Sequence, residues 1–377
     1  MKNNLSRITY YLAYSLMIIA YLCSRFSIIN NNKQFINILM LLLLLLTFII
    51  QGEKYNFKTI IMFMLVFICF LIPYTINGNN MLIIALLFII CSKNIMPDKF
   101  IKFDMILKIS LTIIIIASWK LDIIKEVIMS RTDGTIRHSL GFGHPNGLGK
   151  VMFCICAEAI YLNFKNMKPK EYILIIIAFL ISNFICDCRA ATIAMIALII
   201  MQKTQKKHNM LLKKIIIFLP LILTIISFIS AVLFIKNPNN EILININELT
   251  SGRIKCAADF ISNYRLNLFG NIFEFLGQWS TRGQYLTVLD NSYVFLVLQF
   301  GLISGIIVLI FSINLLNYLI KSNKMPAVYC IIAFLILGLM ENCAFNLNSN
   351  SMIIFASPLV YQKLRSNTNE KNRNNNN

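Results

Sequence analysis

FINILMLLLLLLTFII at residues 35–50 and TIIMFMLVFICFLIPYTI at residues 59–76 carry no charged side chain. A helix needs about 17–25 such residues to cross the hydrocarbon core of a bilayer, so each run, with a few neighbours, reads as a spanning helix. Working outward, similar runs occur at 8–24, 81–92, 103–119, 147–162, 172–186, 190–201, 215–235, 290–320, 326–340 and 351–362. The fold expected is therefore all-α, a polytopic helical membrane protein of about 12 transmembrane helices. The runs at 81–92, 190–201 and 351–362 are short for a full crossing. Composition agrees: the 377 residues are 58% hydrophobic and 14% charged, whereas soluble domains run nearer a quarter charged. An ordinary soluble globule is excluded.

The formal net charge of +19 would suggest nucleic acid in a soluble protein. Here its distribution explains it. With the N-terminus in the cytoplasm, the inner connections and tails hold 21 Lys and Arg and the outer connections 12, the asymmetry expected of cytoplasmic loops. Lys203, Lys206, Lys207, Lys213 and Lys214 form the strongest inner marker. No nucleic-acid partner is needed, and both termini are expected inside. The first apolar run lacks a small-x-small cleavage site and is read as a retained span. Residues 1–365 are taken as one integral-membrane domain with a large outer loop at 236–289, containing short helices, between the ninth and tenth spans. Residues 366–377 are read as a disordered cytoplasmic tail.

The ten cysteines do not suggest a metal. Cys154/Cys156 and Cys186/Cys188 are two apart, and on a helix such residues point about 200° away from each other. Most of the others lie in spans as small apolar residues. No His-x-x-x-His, phosphate loop or Asp-x-Asp occurs, so no metal or cofactor and no cytosolic nucleotide chemistry is expected.

The chemistry concentrates in the outer connections. Gly141-Phe142-Gly143-His144-Pro145-Asn146 ends the first long one, just after Arg137. Glycines allow backbone closed to other residues, and Pro145 suits a helix's first turn. The free N–H groups of that turn face an anion, or the motif is simply a tight turn capped by His144. In the second long connection, Thr250-Ser251-Gly252-Arg253 precedes helical spacing of Ile254, Ala257, Ala258 and Ile261. Thr250 or Ser251 suits the N-cap. Arg253 then sits where the helix dipole disfavours a cation unless an anion is near; the alternative is an ion pair with Glu248 or Asp259. Cys186-Asp187-Cys188-Arg189 places an arginine at the membrane boundary, costly unless paired or facing a polar cavity; a local Asp187–Arg189 pair is the alternative. Asp290-Asn291-Ser292-Tyr293 opens a long span, with Asp290 either a cap or a carboxylate base. Arginine forks match phosphate oxygens and stay charged, so Arg137, Arg189 and Arg253 on one membrane face suit a lipid-linked pyrophosphate.

In this order, the motif at 141–146, Arg189 after a span, Ser251-Gly252-Arg253 in a large outer loop, and Asp290-Asn291-Ser292-Tyr293 before Gly301 and Gly305 resemble the Wzy-type O-antigen and capsular polysaccharide polymerases. Related O-antigen ligases share the order. The resemblance spans about residues 137–305. It implies a GT-C-like, metal-independent glycosyltransferase on the outer face of the cell membrane, moving a growing glycan from undecaprenyl pyrophosphate onto a lipid-linked repeat unit. Arg189 and Arg253 would hold the departing pyrophosphate, and Arg137 and Asn146 would contact phosphate or sugar. Asp290, then His144, are the choices for base, because the histidine that ligases often carry after the large loop is replaced here by Asp290 and Asn291. Asn291 and Tyr293 would contact substrate, and Tyr293, Trp279 and Tyr285 would stack on sugars or anchor at the interface. A flippase and a chain-length regulator are the implied protein partners.

A ligase and a lipid-glycan flippase or other transporter stay open beside the polymerase. A transporter calls for paired broken spans and ionisable residues near mid-bilayer. Asp104, Lys108, Lys150 and Glu158 are the ionisable residues inside spans, each read as near an end or snorkelling.

Overall fold

The computed structural model describes residues 2–52, 57–131, 134–204, 210–273 and 288–361. Lys206, Lys207, Trp279, Tyr285 and the tail from residue 362 lie outside them. The chain is mostly helical. Fourteen helices are present among the described residues: α1 (Lys2–Leu22), α2 (Ser27–Asn31), α3 (Lys33–Gln51), α4 (Phe57–Asn77), α5 (Met81–Ile90), α6 (Pro97–Lys120), α7 (Pro145–Leu162), α8 (Pro169–Leu180), α9 (Arg189–Thr204), α10 (Met210–Lys236), α11 (Glu241–Leu249), α12 (Arg253–Asn263), α13 (Ser292–Lys321) and α14 (Met325–Leu337). A hairpin pairs β1 (Ile128–Ser130) with β2 (Ile136–His138), Met129 facing Arg137.

Five helices are long and apolar enough to cross a membrane: Lys2–Leu22, Lys33–Gln51, Thr59–Asn77, Met210–Lys236 and Ser292–Lys321. Other helices have chemically marked starts. Proline opens α6, α7 and α8 at the position where its missing N–H costs nothing. The Lys168 N–H before α8 donates to Glu171 at 2.9 Å.

The residues form two compact units. The first comprises residues 1–56, 86–205 and 348–377, and the second 57–85 and 206–347. At the centre of the first lies α7, 13 of whose 18 residues are buried. It packs on α6, α8 and α9. Tyr10 and Tyr14 of α1, Phe88 of α5 and Phe100 of α6 pack edge to face. A π-helical turn at Ile181–Ile185 extends α8 toward the 186–189 turn.

In the second unit, α10 packs on α12 and α13 around Ala257, Phe260, Phe273, Val294 and Leu298. The expected continuous span at 290–320 is broken: Gly301 has φ 82° and ψ 168°. The loop from Asn267 to Asn271 fills the break. The Leu302 N–H donates to the Asn267 carbonyl at 2.9 Å, and Asn271 Nδ2 donates to the Leu298 carbonyl at 2.8 Å. Asn77 Nδ2 supplies the Gln299 carbonyl at 2.5 Å. Buried peptide groups freed from a helix need such partners.

The run at 351–362, read as a span, instead begins as a 3₁₀ turn at Ser351–Ala356 capped by Asn350. It follows turns from residue 338 onward. This irregular backbone is mostly buried in protein, one of the settings in which a membrane protein tolerates it.

Candidate functional site

In the first unit, the loop between α6 and α7 folds over the 186–189 turn. Gly141 has φ 90°, and a Cβ there would sit 2.9 Å from that of Trp119. This turn aims the chain into α7. His144 is the N-cap, its Nδ1 accepting from the Asn146 N–H at 3.0 Å. In a neutral imidazole that bond leaves the proton on Nε2. His144 is thus a cap and a donor, which weakens it as a base.

Arg137 is 8% exposed. Its Nε donates to the Cys186 carbonyl at 2.9 Å, and its terminal nitrogen donates to Asn146 Oδ1. Burial, then the neighbouring Arg131 charge, pushes the Arg137 guanidinium below its usual range; arginine stays protonated regardless. Arg131 pairs with the Asp187 carboxylate and donates to the Asp187 carbonyl at 2.8 Å. The half-exposed Arg189 reaches Asp187 Oδ1 only at 3.7 Å. The local Asp187–Arg189 pair is therefore secondary to Arg131. Arg131 and Arg189 pair with the one carboxylate while Arg137 holds the adjacent Cys186 carbonyl; Arg137 and Arg189 are residues the sequence pointed to. Arg131 was missed; its signal was a second arginine in the same loop as Arg137, two positions beyond Met129, which pairs with Arg137.

In the second unit, Arg253 opens α12. The expected Thr250 or Ser251 cap is absent: the N-cap is Gly252, φ 81°, with no side-chain bond. Arg253 turns instead toward α13. Its terminal nitrogen lies 3.0 Å from Asp290 Oδ2 and 3.6 Å from Glu341 Oε1, while Nε donates to the Met340 carbonyl at 3.1 Å. These are its charge partners in place of Glu248 or Asp259. Arg253 and Asp290 are each about one-fifth exposed, whereas Glu341 is buried.

Asp290 does not cap α13. Asn291 does, accepting from the Tyr293 and Val294 N–H groups at 3.0 and 3.1 Å and donating to Ser227 and the Leu339 carbonyl. Asn291 is thereby committed to structure and does not meet the expectation of a substrate contact. Tyr293 is corrected likewise: it is 0% exposed and donates to the Leu335 carbonyl at 2.6 Å, so its ring belongs to the core and cannot stack on a sugar. Ser292 Oγ donates to the Glu341 carbonyl at 2.7 Å and accepts from Cys343 and Ala344. Residues 291–293 thus hold the turn that presents Glu341. Glu341 was missed, although it is the sole acidic residue between 291 and 369.

Among the described residues, no three His, Cys, Asp or Glu side chains gather to hold a metal. No protein-family model, curated protein or solved structure matches this chain.

Proposed function

We propose that the chain is a polysaccharide polymerase of the Wzy type, transferring a growing glycan from undecaprenyl pyrophosphate to a lipid-linked repeat unit at the outer face of the cell membrane. The observation that carries this is the Arg253–Asp290 pair, 37 positions apart in sequence and 3.0 Å apart in space. It joins a guanidinium fork suited to phosphate to a carboxylate beside a helix start, both partly exposed.

The chemistry follows. The donor diphosphate takes the Arg253 guanidinium, and the carboxylate of Asp290 is released from it. Asp290 then accepts the acceptor hydroxyl proton as that oxygen attacks the anomeric carbon. The carbon–oxygen bond to the diphosphate breaks, and Arg253 carries the departing charge. Glu341 and the Met340 carbonyl keep the guanidinium in place throughout. In the first unit, Arg189 keeps a phosphate role and Arg137 with Asn146 a phosphate or sugar role.

The test is the product ladder from purified protein and synthetic lipid-linked repeat units. Loss of one preorganised donor costs about 2.7–4 kcal/mol, 10²–10³-fold in rate. Arg253→Lys is expected to lose chain growth on that scale, and Asp290→Asn to abolish it. A normal ladder from either variant overturns the reading.

A second reading, a lipid-glycan transporter, is favoured by one observation: Asp104, Lys108 and Glu158 are wholly buried in helices, at 0%, 1% and 0% exposure, and are not snorkelling as the sequence suggested. Movement of a labelled lipid-linked oligosaccharide across proteoliposomes without lengthening would select it.

A further inference from the structure

Lys108 Nζ lies inside the first unit, 2.6 Å from Asp104 Oδ2 and 2.8 Å from Glu158 Oε1, with the Ser349 carbonyl at 3.5 Å. Those three acceptors use all the protons of an ammonium. Ser351 Oγ adds a bond to Glu158 Oε1 at 2.8 Å. The other carboxylate oxygens, Asp104 Oδ1 and Glu158 Oε2, are buried with no hydrogen-bond partner.

The charge does not close. Two carboxylates face one ammonium. The other groups around them are the Tyr14 hydroxyl on α1, the Cys154 thiol on α7, and the neutral 349–351 turn. Lys150 is eight residues back along α7, about 12 Å at 1.5 Å per residue. A net negative charge sealed in an apolar interior is strongly disfavoured. Two orphaned carboxylate oxygens, buried side by side around one nitrogen, are short of one positive charge.

We propose that Asp104 and Glu158 together bind one proton, forming a proton-binding site in the interior of the first unit. The proton makes the cluster neutral and turns one orphaned oxygen into a donor. An alkali cation fits less well, because the oxygens have no accessible surface and an alkali ion needs a larger oxygen shell. The Ser349 carbonyl and the Ser351 hydroxyl are bonded to Lys108 and Glu158, which ties the 349–351 turn to the cluster. The site shares no residue with the arginine clusters and does not rest on the polymerase reading.

Infrared spectra of the full chain in lipid nanodiscs at neutral pH test this, through the protonated-carboxyl band that shifts in D₂O. One carboxyl equivalent is expected to vanish in Glu158→Gln and equally in Asp104→Asn, since either leaves one carboxylate balanced by Lys108. Lys108→Gln is expected to add a second equivalent, a gain that misfolding does not mimic. The proposal is overturned if either neutralised variant keeps the band, if Lys108→Gln leaves it unchanged, or if adding sodium removes it from the wild type.

Discussion

Lysine at position 253 keeps the charge and removes the fork. Arg253 serves the Met340 carbonyl, Asp290 and Glu341 at once, and a single ammonium on a flexible stem does not reproduce that planar geometry. The same substitution at Arg189, held only at 3.7 Å by Asp187, is expected to impair chain growth while leaving membrane insertion intact; normal growth would remove Arg189 from the site. Tyr293 makes the opposite prediction. Tyr293→Phe loses a buried hydrogen bond to the Leu335 carbonyl and leaves that acceptor without it, at about 1–3 kcal/mol of stability. Its product ladder is expected to keep its length, whereas a sugar-stacking residue would alter it; thermal unfolding in detergent alongside the ladder separates the two. Arg253 and Asp290 were legible in sequence because each stands beside a helix start, where a charge needs a reason. Arg131 and Glu341 were not, because their partners are fixed by folding across 56 positions in one case and 88 in the other.

At the scale of elements, the break in α13 is the feature hydropathy could not show. Spanning helices tolerate glycine, so Gly301 inside a long apolar run leaves the period unchanged. What breaks the helix is far away in sequence: a Cβ at Gly301 would lie 2.4 Å from the Leu268 carbonyl oxygen, and one at Gly270 would lie 2.1 Å from that of Gln299. Two backbones cross where side chains have no room, and Asn267, Asn271 and Asn77 satisfy the exposed peptide groups. Gly301→Ala therefore meets both backbone contact and a left-handed φ. It is expected to cost about 1–3 kcal/mol and to release the 264–273 segment, seen as faster amide exchange there than in α10. Unchanged exchange in that segment would show that the crossing does not hold it. The cap of α12 was misread for a related reason: Gly252 at φ 81° turns the chain so that Arg253 faces α13, and local propensity favours Thr250 or Ser251 only when nothing distant competes.

At the scale of the whole molecule, lipid makes the helices legible and leaves their partners hidden. Lipid-facing backbone has no water to bond and satisfies its own groups by forming helices, so apolar runs alone located helices without any amphipathic period. The helices at Lys33–Gln51 and Thr59–Asn77 illustrate this, with only 17% and 11% of their apolar windows buried in protein. Their exposed leucines, isoleucines and methionines are suited to lipid. Sidedness rests on charge alone: Lys203, Lys213 and Lys214 flank one connection, while Arg253 and Asp290 belong to another. If cytoplasmic attraction for Lys and Arg orients the chain, a cysteine at exposed Asn240 is accessible from outside intact cells and one at exposed Lys214 is not. The background is favourable, because nine of the ten native cysteines are buried and Cys69 is partly so. With Cys69→Ser as the parent, an impermeant maleimide is expected to label Asn240→Cys in intact cells and Lys214→Cys only after permeabilisation. The reverse pattern would turn Arg253 and Asp290 to the cytoplasm, where flipped lipid-linked repeat units are absent, and the polymerase proposal would fall with the topology.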